Sequence, residues 1–236
     1  MQDLEHFKDK ENVNNISEYD VVANEILNEL NKYESRFETL ADITPREKET
    51  NRGECGGFKN ESDDSEKTTE RRFCKCLYYT NTKNKVKTNC ETCNLRNRQA
   101  EGYHAKLAGN FEVIYYEFVP TDKGKGVGNV DLILADENFA YLTEVKPPHG
   151  NSETLLRMFL EIETYSRVTA SGNQYKKIVG SKPLRKAILF FKHSPQYKDF
   201  ISENRGISTK KLLSIFGISV LCVEFKNGEV HISAIG

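Results

Sequence analysis

The sequence contains no tryptophan, and it has two methionines, six prolines and six cysteines among its 236 residues. The lack of tryptophan carries no functional information. The chain also lacks an excess of charge of either sign, since 34 basic side chains face 35 acidic ones and the formal net charge is -1. This balance argues against a protein that coats nucleic acid through its overall charge, while a local basic groove stays compatible with it.

Long apolar segments are absent as well. No run of apolar residues reaches the length of a membrane span, and the first residues, MQDLEHFKDKEN, lack the apolar stretch of a signal peptide. We therefore expect a cytoplasmic protein without membrane contact. In a reducing compartment, grouped cysteines favour metal binding over disulfide formation.

The length suits one domain, or a compact core with a small appendage. We expect an N-terminal part, 1–72, in which an amphipathic helix at 17–40 precedes a mobile polar loop starting at Asp42. Residues 73–93 form a cysteine-rich segment. The remainder, 94–236, has the pattern of an α/β domain.

Within 94–236 the apolar pattern changes from helical to extended. A helix is predicted at 94–109, and the almost wholly apolar run 186–192 indicates a central strand covered on both faces. The triplet Lys226-Asn227-Gly228 predicts a hairpin turn. The other predicted strands are 111–119, 129–135, 139–146, 218–225 and 229–235, and the other predicted helices are one beginning at Asn151 or Ser152, 196–203 and 208–216.

Three charged residues lie in the apolar segment GNVDLILADENFAYLTEVKPP. Asp131 is on one predicted strand, while Glu144 and Lys146 are on the next and share a face because side chains two apart on a strand point the same way. The hairpin brings Asp131 beside them. Burying two carboxylates and an ammonium group among apolar residues is costly unless a metal or mutual pairing compensates.

This pattern resembles the PD-(D/E)XK nuclease superfamily, whose motif is an acidic residue, a short gap and then Glu/Asp-x-Lys. The resemblance covers roughly 94–193 and implies a restriction-endonuclease-like core, a central mixed β-sheet flanked by helices. It also implies a nuclease, acting on DNA and often as a homodimer, in which Asp131 and Glu144 bind Mg²⁺ or Mn²⁺. Lys146 would orient or activate the water, or stabilise the phosphate.

The resemblance is closest to RecB-like members, which carry Gln-x-x-x-Tyr on the following helix. Here Glu161 replaces the glutamine and Tyr165 matches the tyrosine. Those members also use an acidic residue on the helix before the sheet, and Glu101 is the candidate for it. Separately, Lys123 and Lys125 lie in a glycine-containing loop that either contacts phosphate or is only a flexible turn.

Two cysteine pairs, Cys74-x-Cys76 and Cys90-x-x-Cys93, are separated by a short basic segment. Four thiolates on opposed turns can complete a tetrahedral zinc site, so we expect structural zinc there, with an iron–sulfur cluster as the less favoured alternative.

The whole pattern has a second interpretation. Asp131 and Glu144 could be ordinary edge-strand charges with Lys146 as their solvated partner. Alternatively, the chain could be a catalytically inactive member of the superfamily that binds nucleic acid or protein and has a structural zinc site.

Overall fold

The computed structural model describes residues 15, 18–38, 70–82, 104–120, 128–147, 153–170 and 173–236. Over these residues the chain forms an α/β fold in which helices cover a mixed sheet of seven strands. The strands are β1 (Lys106–Ala108), β2 (Glu112–Phe118), β3 (Val130–Ala135), β4 (Ala140–Lys146), β5 (Leu184–Phe191), β6 (Ile218–Lys226) and β7 (Glu229–Ala234). The described helices are α1 (Tyr19–Asn28), α2 (Leu30–Glu38), α3 (Glu70–Asn81), α4 (Leu155–Ala170), α5 (Gln174–Val179), α6 (Pro195–Ile201) and α7 (Ile207–Ile215).

The sheet order is β1-β7-β6-β5-β4-β3-β2. Strand β5 lies parallel to both β4 and β6, and β1 lies parallel to β7, while the remaining neighbours are antiparallel. Both predicted hairpins are confirmed. The β6–β7 turn holds Asn227 and Gly228 at φ of 53° and 77°, the left-handed conformation that Asn-Gly adopts readily.

Two apolar layers pack on the two faces of the sheet. Helices α1, α4 and α7 cover one face, and α3 covers the other. On β5, Ile188 and Phe190 face the first layer whereas Ala187 and Leu189 face the second, which confirms the prediction of a strand buried on both sides. No helix in the described ranges combines the length and apolarity that a bilayer crossing requires.

The prediction of a polar loop continuing to Arg72 is wrong at its end, because α3 begins at Glu70. Its apolar residues follow helical spacing: Phe73 and Leu77 are four apart, as are Cys74 and Tyr78, and all four are buried. The sequence therefore carried a helical signal, which the cysteine spacing obscured. The rest of the predicted loop lies outside the described residues.

The predicted helix at 94–109 is also wrong over its described part. His104 adopts a left-handed φ of 62°, and Lys106–Ala108 forms the short edge strand β1 beside β7. Asn81 at the end of α3 holds this segment, since its Oδ1 accepts from the Leu107 N–H at 2.7 Å. Pairing with β7 thus prevails over the local helical pattern.

The predicted helix 17–40 is divided into α1 and α2 at Glu29, whose φ and ψ of -116° and 34° leave the helical region. Asparagine has a modest helix propensity, and Asn28 closes the first piece. Helix α1 packs on α7, which is far from it in sequence, and contributes Asp20 to the start of that helix. Gly206, the N-cap residue of α7, offers no side-chain cap, and Asp20 replaces it by accepting from the N–H groups of Ser208 and Thr209 at 3.2 and 2.9 Å.

We predict that Asp20→Ala lowers the free energy of unfolding by about 1–2 kcal/mol, as loss of an N-cap does. The variant leaves the first N–H groups of α7 without their carboxylate acceptor. Urea denaturation followed by far-UV circular dichroism measures the change. Asp20→Asn, whose amide oxygen can replace one of the two accepting carboxylate oxygens, should lose less stability than Asp20→Ala, and equal losses in the two variants would contradict this capping role.

Candidate metal centre

The candidate site lies where β3 begins and β4 ends. The β3–β4 ladder stops at Leu132 and Thr143, whereas β4 continues pairing with β5 up to Lys146. Beyond the end of the ladder the Asp131 side chain takes the place of a backbone acceptor, because its Oδ2 accepts from the Val145 N–H at 2.7 Å. This contact fixes the Asp131 carboxylate beside the end of β4.

Lys146 is the centre of the site. Its side chain is nearly buried, and its Nζ contacts Glu144 Oε1 at 2.5 Å, which confirms that these two side chains share a face. Three more carboxylates reach the same nitrogen from other elements: Glu153 at 2.7 Å, Glu70 at 3.0 Å and Glu161 at 3.2 Å. One ammonium group therefore joins α3, β4, the segment before α4, and α4 itself.

Glu70, Asp131 and Glu144 could hold a cation together. One oxygen from each lies within 4.8 Å of the other two, a spacing that small side-chain movements bring to a hard cation with bonds of about 2.1–2.5 Å. Glu144 is buried, while Glu70 and Asp131 are half-buried. Three carboxylates with open positions are the donor set that Mg²⁺ or Mn²⁺ accepts, so the residues fit such an ion.

The electrostatics of this cluster also favour a cation. Burial and the nearby charge of Glu70 raise the pKa of Asp131 well above its usual range, and burial with the charge of Asp131 does the same for Glu144. Burial works against the charged form of Lys146, but the surrounding carboxylates prevail and raise its pKa above the usual value. The folded chain thus brings more negative charge together than one ammonium group balances.

Helix α4 brings Glu161 against Lys146, and its Tyr165 lies near the same carboxylates. Arg157, one turn before Glu161, donates from Nε to Glu161 Oε1 at 2.9 Å and holds that carboxylate against Lys146. Burial, together with the charges of Glu144 and Glu161, raises the pKa of the Tyr165 hydroxyl, so this group stays protonated at neutral pH. Gly128 packs over the hydroxyl, and a Cβ there would lie only 2.4 Å from it.

Two of the three described cysteines, Cys74 and Cys76, lie on α3, and both are buried. Residues two apart on a helix face different directions, so Cys74 and Cys76 do not present adjacent thiols from one turn. Burial, and then the charges of Asp131 and Glu70, raise the pKa of the Cys74 thiol, which places this thiol near the carboxylate cluster. The partners of the predicted zinc site, Cys90 and Cys93, lie outside the described residues, so that site stays a prediction.

Three further candidates, Glu101, Lys123 and Lys125, also lie outside the described residues. Among the described ones, the structure brings together Asp131, Glu144, Lys146, Glu161 and Tyr165. It adds Glu70, Glu153 and Arg157, which the sequence interpretation missed. Arg157 and Glu161 are four apart on a predicted helix, and this spacing was the one available signal; Glu70 and Glu153 come from segments without a distinctive pattern.

Comparison of the chain with protein-family models, with curated proteins and with solved structures gives no match.

Proposed function

We propose that the protein is a divalent-metal-dependent nuclease that hydrolyses phosphodiester bonds in DNA. The observation that carries the proposal is the convergence of Glu70, Asp131 and Glu144 within 4.8 Å of one another, beside the ammonium group of Lys146. Three acids can supply the ligands of a metal ion and one lysine can supply positive charge to a phosphate, and both assist phosphodiester hydrolysis.

Each residue has a distinct part in this proposal. Glu70, Asp131 and Glu144 would hold Mg²⁺ or Mn²⁺, which when bound supplies positive charge to the phosphate and lowers the pKa of a water molecule. Lys146 stays protonated because carboxylates surround it, so it acts as a cation towards phosphate oxygens and not as the proton acceptor. The neutral Tyr165 hydroxyl can donate a hydrogen bond, and Arg157 keeps Glu161 in place.

The arrangement of elements supports the assignment to a restriction-endonuclease-like core. Helix α3, which carries Glu70, packs on β2, β3 and β4. Helix α4 belongs to the connection between the parallel strands β4 and β5. Glu70 on α3 occupies the role for which the sequence pattern suggested Glu101. In this proposal the acidic residue on the helix before the sheet is Glu70.

We predict metal-dependent cleavage when the full chain is incubated with linear duplex, circular duplex and single-stranded DNA, and with RNA. Products should appear with Mg²⁺ or Mn²⁺ and disappear with excess EDTA, and comparison of the four substrates identifies the class of nucleic acid and whether ends are needed. Glu224→Gln, which alters a glutamate that also pairs with lysines but lies on β6, two strands from β4, should cleave like the wild type. Nucleic-acid binding without cleavage in any metal would instead support the inactive binding module.

A further inference from the structure

The four carboxylates around Lys146 are of two kinds. Glu70 and Glu144 belong to the cluster that we assign to the metal, and they contact Nζ at 3.0 and 2.5 Å. Glu153 and Glu161 contact the same nitrogen at 2.7 and 3.2 Å but are not members of that cluster. A single ammonium group is thus shared between metal ligands and two acids that hold no metal.

The ammonium group and a divalent cation compete for the same oxygens. When a cation binds Glu70 and Glu144, it neutralises the carboxylates that attract Lys146 and repels the ammonium group directly. Lys146 is almost buried, and a buried ammonium group without a partner is strongly unfavourable. The affinity for the metal therefore depends on whether another carboxylate close to the site can pair with Lys146.

Glu153 is better placed than Glu161 to be that carboxylate. Both acids interact with the charge of Arg157, but Glu161 accepts a hydrogen bond from the Arg157 Nε at 2.9 Å, and Glu153 approaches the ammonium group more closely than Glu161 does. The backbone at Glu153 is also fixed, because the amide of Gln196 donates from Nε2 to the Glu153 carbonyl oxygen at 2.7 Å. Gln196 is 1% exposed and lies near the start of α6, so this amide is a rigid anchor.

We propose that Glu153 is a positioning residue, which retains Lys146 beside the site while the metal occupies Glu70, Asp131 and Glu144, and that Gln196 fixes Glu153 for this task. The pairing frees the metal ligands and keeps the ammonium group within reach of a phosphate. The second consequence rests on the proposed nuclease function, but the first concerns metal affinity alone and is measured without nucleic acid.

The test is the Mn²⁺ affinity of Glu153→Gln, measured by isothermal titration calorimetry on the full chain. We expect Kd to rise about tenfold, because Lys146 then competes more strongly for Glu70 and Glu144. Glu224→Gln is a close control: the Glu224 side chain is 29% exposed and contacts a lysine at 2.7 Å, the same values as Glu153 with Lys146. An unchanged Kd in Glu153→Gln would overturn the proposal.

A double-mutant cycle separates positioning from a general effect of negative charge. In a Lys146→Met background the Glu153→Gln change should leave Kd unaltered, since no ammonium group remains to be held. An equal loss of affinity in both backgrounds would show that Glu153 acts only through its charge, and the proposal would fail.

Gln196→Leu gives a readout that does not require Lys146→Met to fold. It keeps every charge of the site and removes only the anchor of the Glu153 backbone. We expect Kd for Mn²⁺ to rise by a factor of about 2–5 relative to the wild type, a smaller effect than that of Glu153→Gln. An unchanged Kd would contradict the role of Gln196.

The two proposals fail separately. A wild-type protein that binds Mn²⁺, loses affinity in Glu153→Gln and cleaves no nucleic acid would retain the positioning role and refute the nuclease. Cleavage of nucleic acid, together with a Kd for Mn²⁺ that Glu153→Gln does not change, would support the nuclease and refute the positioning role.

Discussion

Asp131→Asn should make the metal-free protein more stable and at the same time abolish cleavage. The change neutralises one of three carboxylates that repel one another, while the amide oxygen can still accept from the Val145 N–H. In EDTA we expect a higher Tm, by about 2–4 °C for each kcal/mol of repulsion relieved. Cleavage should fall on the order of a thousandfold or more, because a metal ligand is lost.

Metal titration distinguishes a lost ligand from an altered fold. Mn²⁺ binds the folded state alone and should raise the Tm of the wild type, whereas the shift should be small in Asp131→Asn. Differential scanning calorimetry with and without Mn²⁺ measures both values. A wild-type-like Mn²⁺ shift in the variant would exclude Asp131 as a ligand.

Asp136 provides a matched control at the other end of β3. Burial works against its charged form, but hydrogen bonds from Tyr141 and from two backbone N–H groups prevail and lower its pKa below the usual value. Neutralising Asp136 therefore removes stabilising interactions. Asp136→Asn should lower the Tm and leave cleavage intact, the opposite of Asp131→Asn on both measurements.

The sign of the pH dependence follows from the same pKa shifts. Asp131 and Glu144 hold a proton more tightly in the folded state than in the unfolded one, so the metal-free wild type should lose stability as pH rises above the usual carboxyl value of about 4. Lys146 also has a raised pKa, and its contribution is lost only above its usual value of about 10.4. Asp131→Asn should therefore gain stability relative to the wild type between pH 4 and neutrality in EDTA.

The part of the site on β3 and β4 was predictable because it depends on local rules. The period of two along a strand places Glu144 and Lys146 on one face, and a hairpin brings Asp131 to them. The helical spacing after β4 likewise placed Glu161 and Tyr165 together on α4. These contacts connect residues that are close in sequence or in consecutive elements.

Glu70 and Glu153 were not predictable by such rules. Glu70 reaches Lys146 only because α3 packs across the sheet, and no spacing in the sequence encodes that packing. The close spacing of Cys74 and Cys76 also favoured the prediction of a metal-binding turn, although these residues lie on a helix. Glu153 depends on Gln196, an anchor from a distant helix. Long-range packing decided both positions, whereas local periodicity decided the others.

Lys146→Met should lower the stability of the metal-free protein, whereas Asp131→Asn should raise it. Both variants should lose cleavage activity. Lys146→Met removes the ammonium group that four carboxylates contact and leaves those carboxylates to repel one another. Removing one partner from a buried ionic network costs about 3–5 kcal/mol. We therefore expect a lower Tm in EDTA, measured by calorimetry.

Mn²⁺ should restore much of that loss, because a dication can balance Glu70, Asp131 and Glu144 in the absence of the ammonium group. The Kd for Mn²⁺ should accordingly be lower in Lys146→Met than in the wild type. Cleavage should nevertheless fall by about 10²–10³ in kcat, since the phosphate loses a positively charged partner. A lower Kd for Mn²⁺ together with a lower kcat would show that Lys146 takes part in the reaction and does not help to bind the metal.

Lys186→Met is the control for this combination. Lys186 contacts the fully buried Glu163 at 2.6 Å, and Arg167 remains beside Glu163 when Lys186 is replaced. The control thus removes a lysine on β5, the strand next to β4, from another largely buried ion pair. It leaves the carboxylates of Glu70, Asp131 and Glu144 unchanged. It should leave the Kd for Mn²⁺ and kcat unchanged. If Lys146→Met instead weakened Mn²⁺ binding, Lys146 would be supporting the metal ligands, and its proposed role towards the phosphate would be wrong.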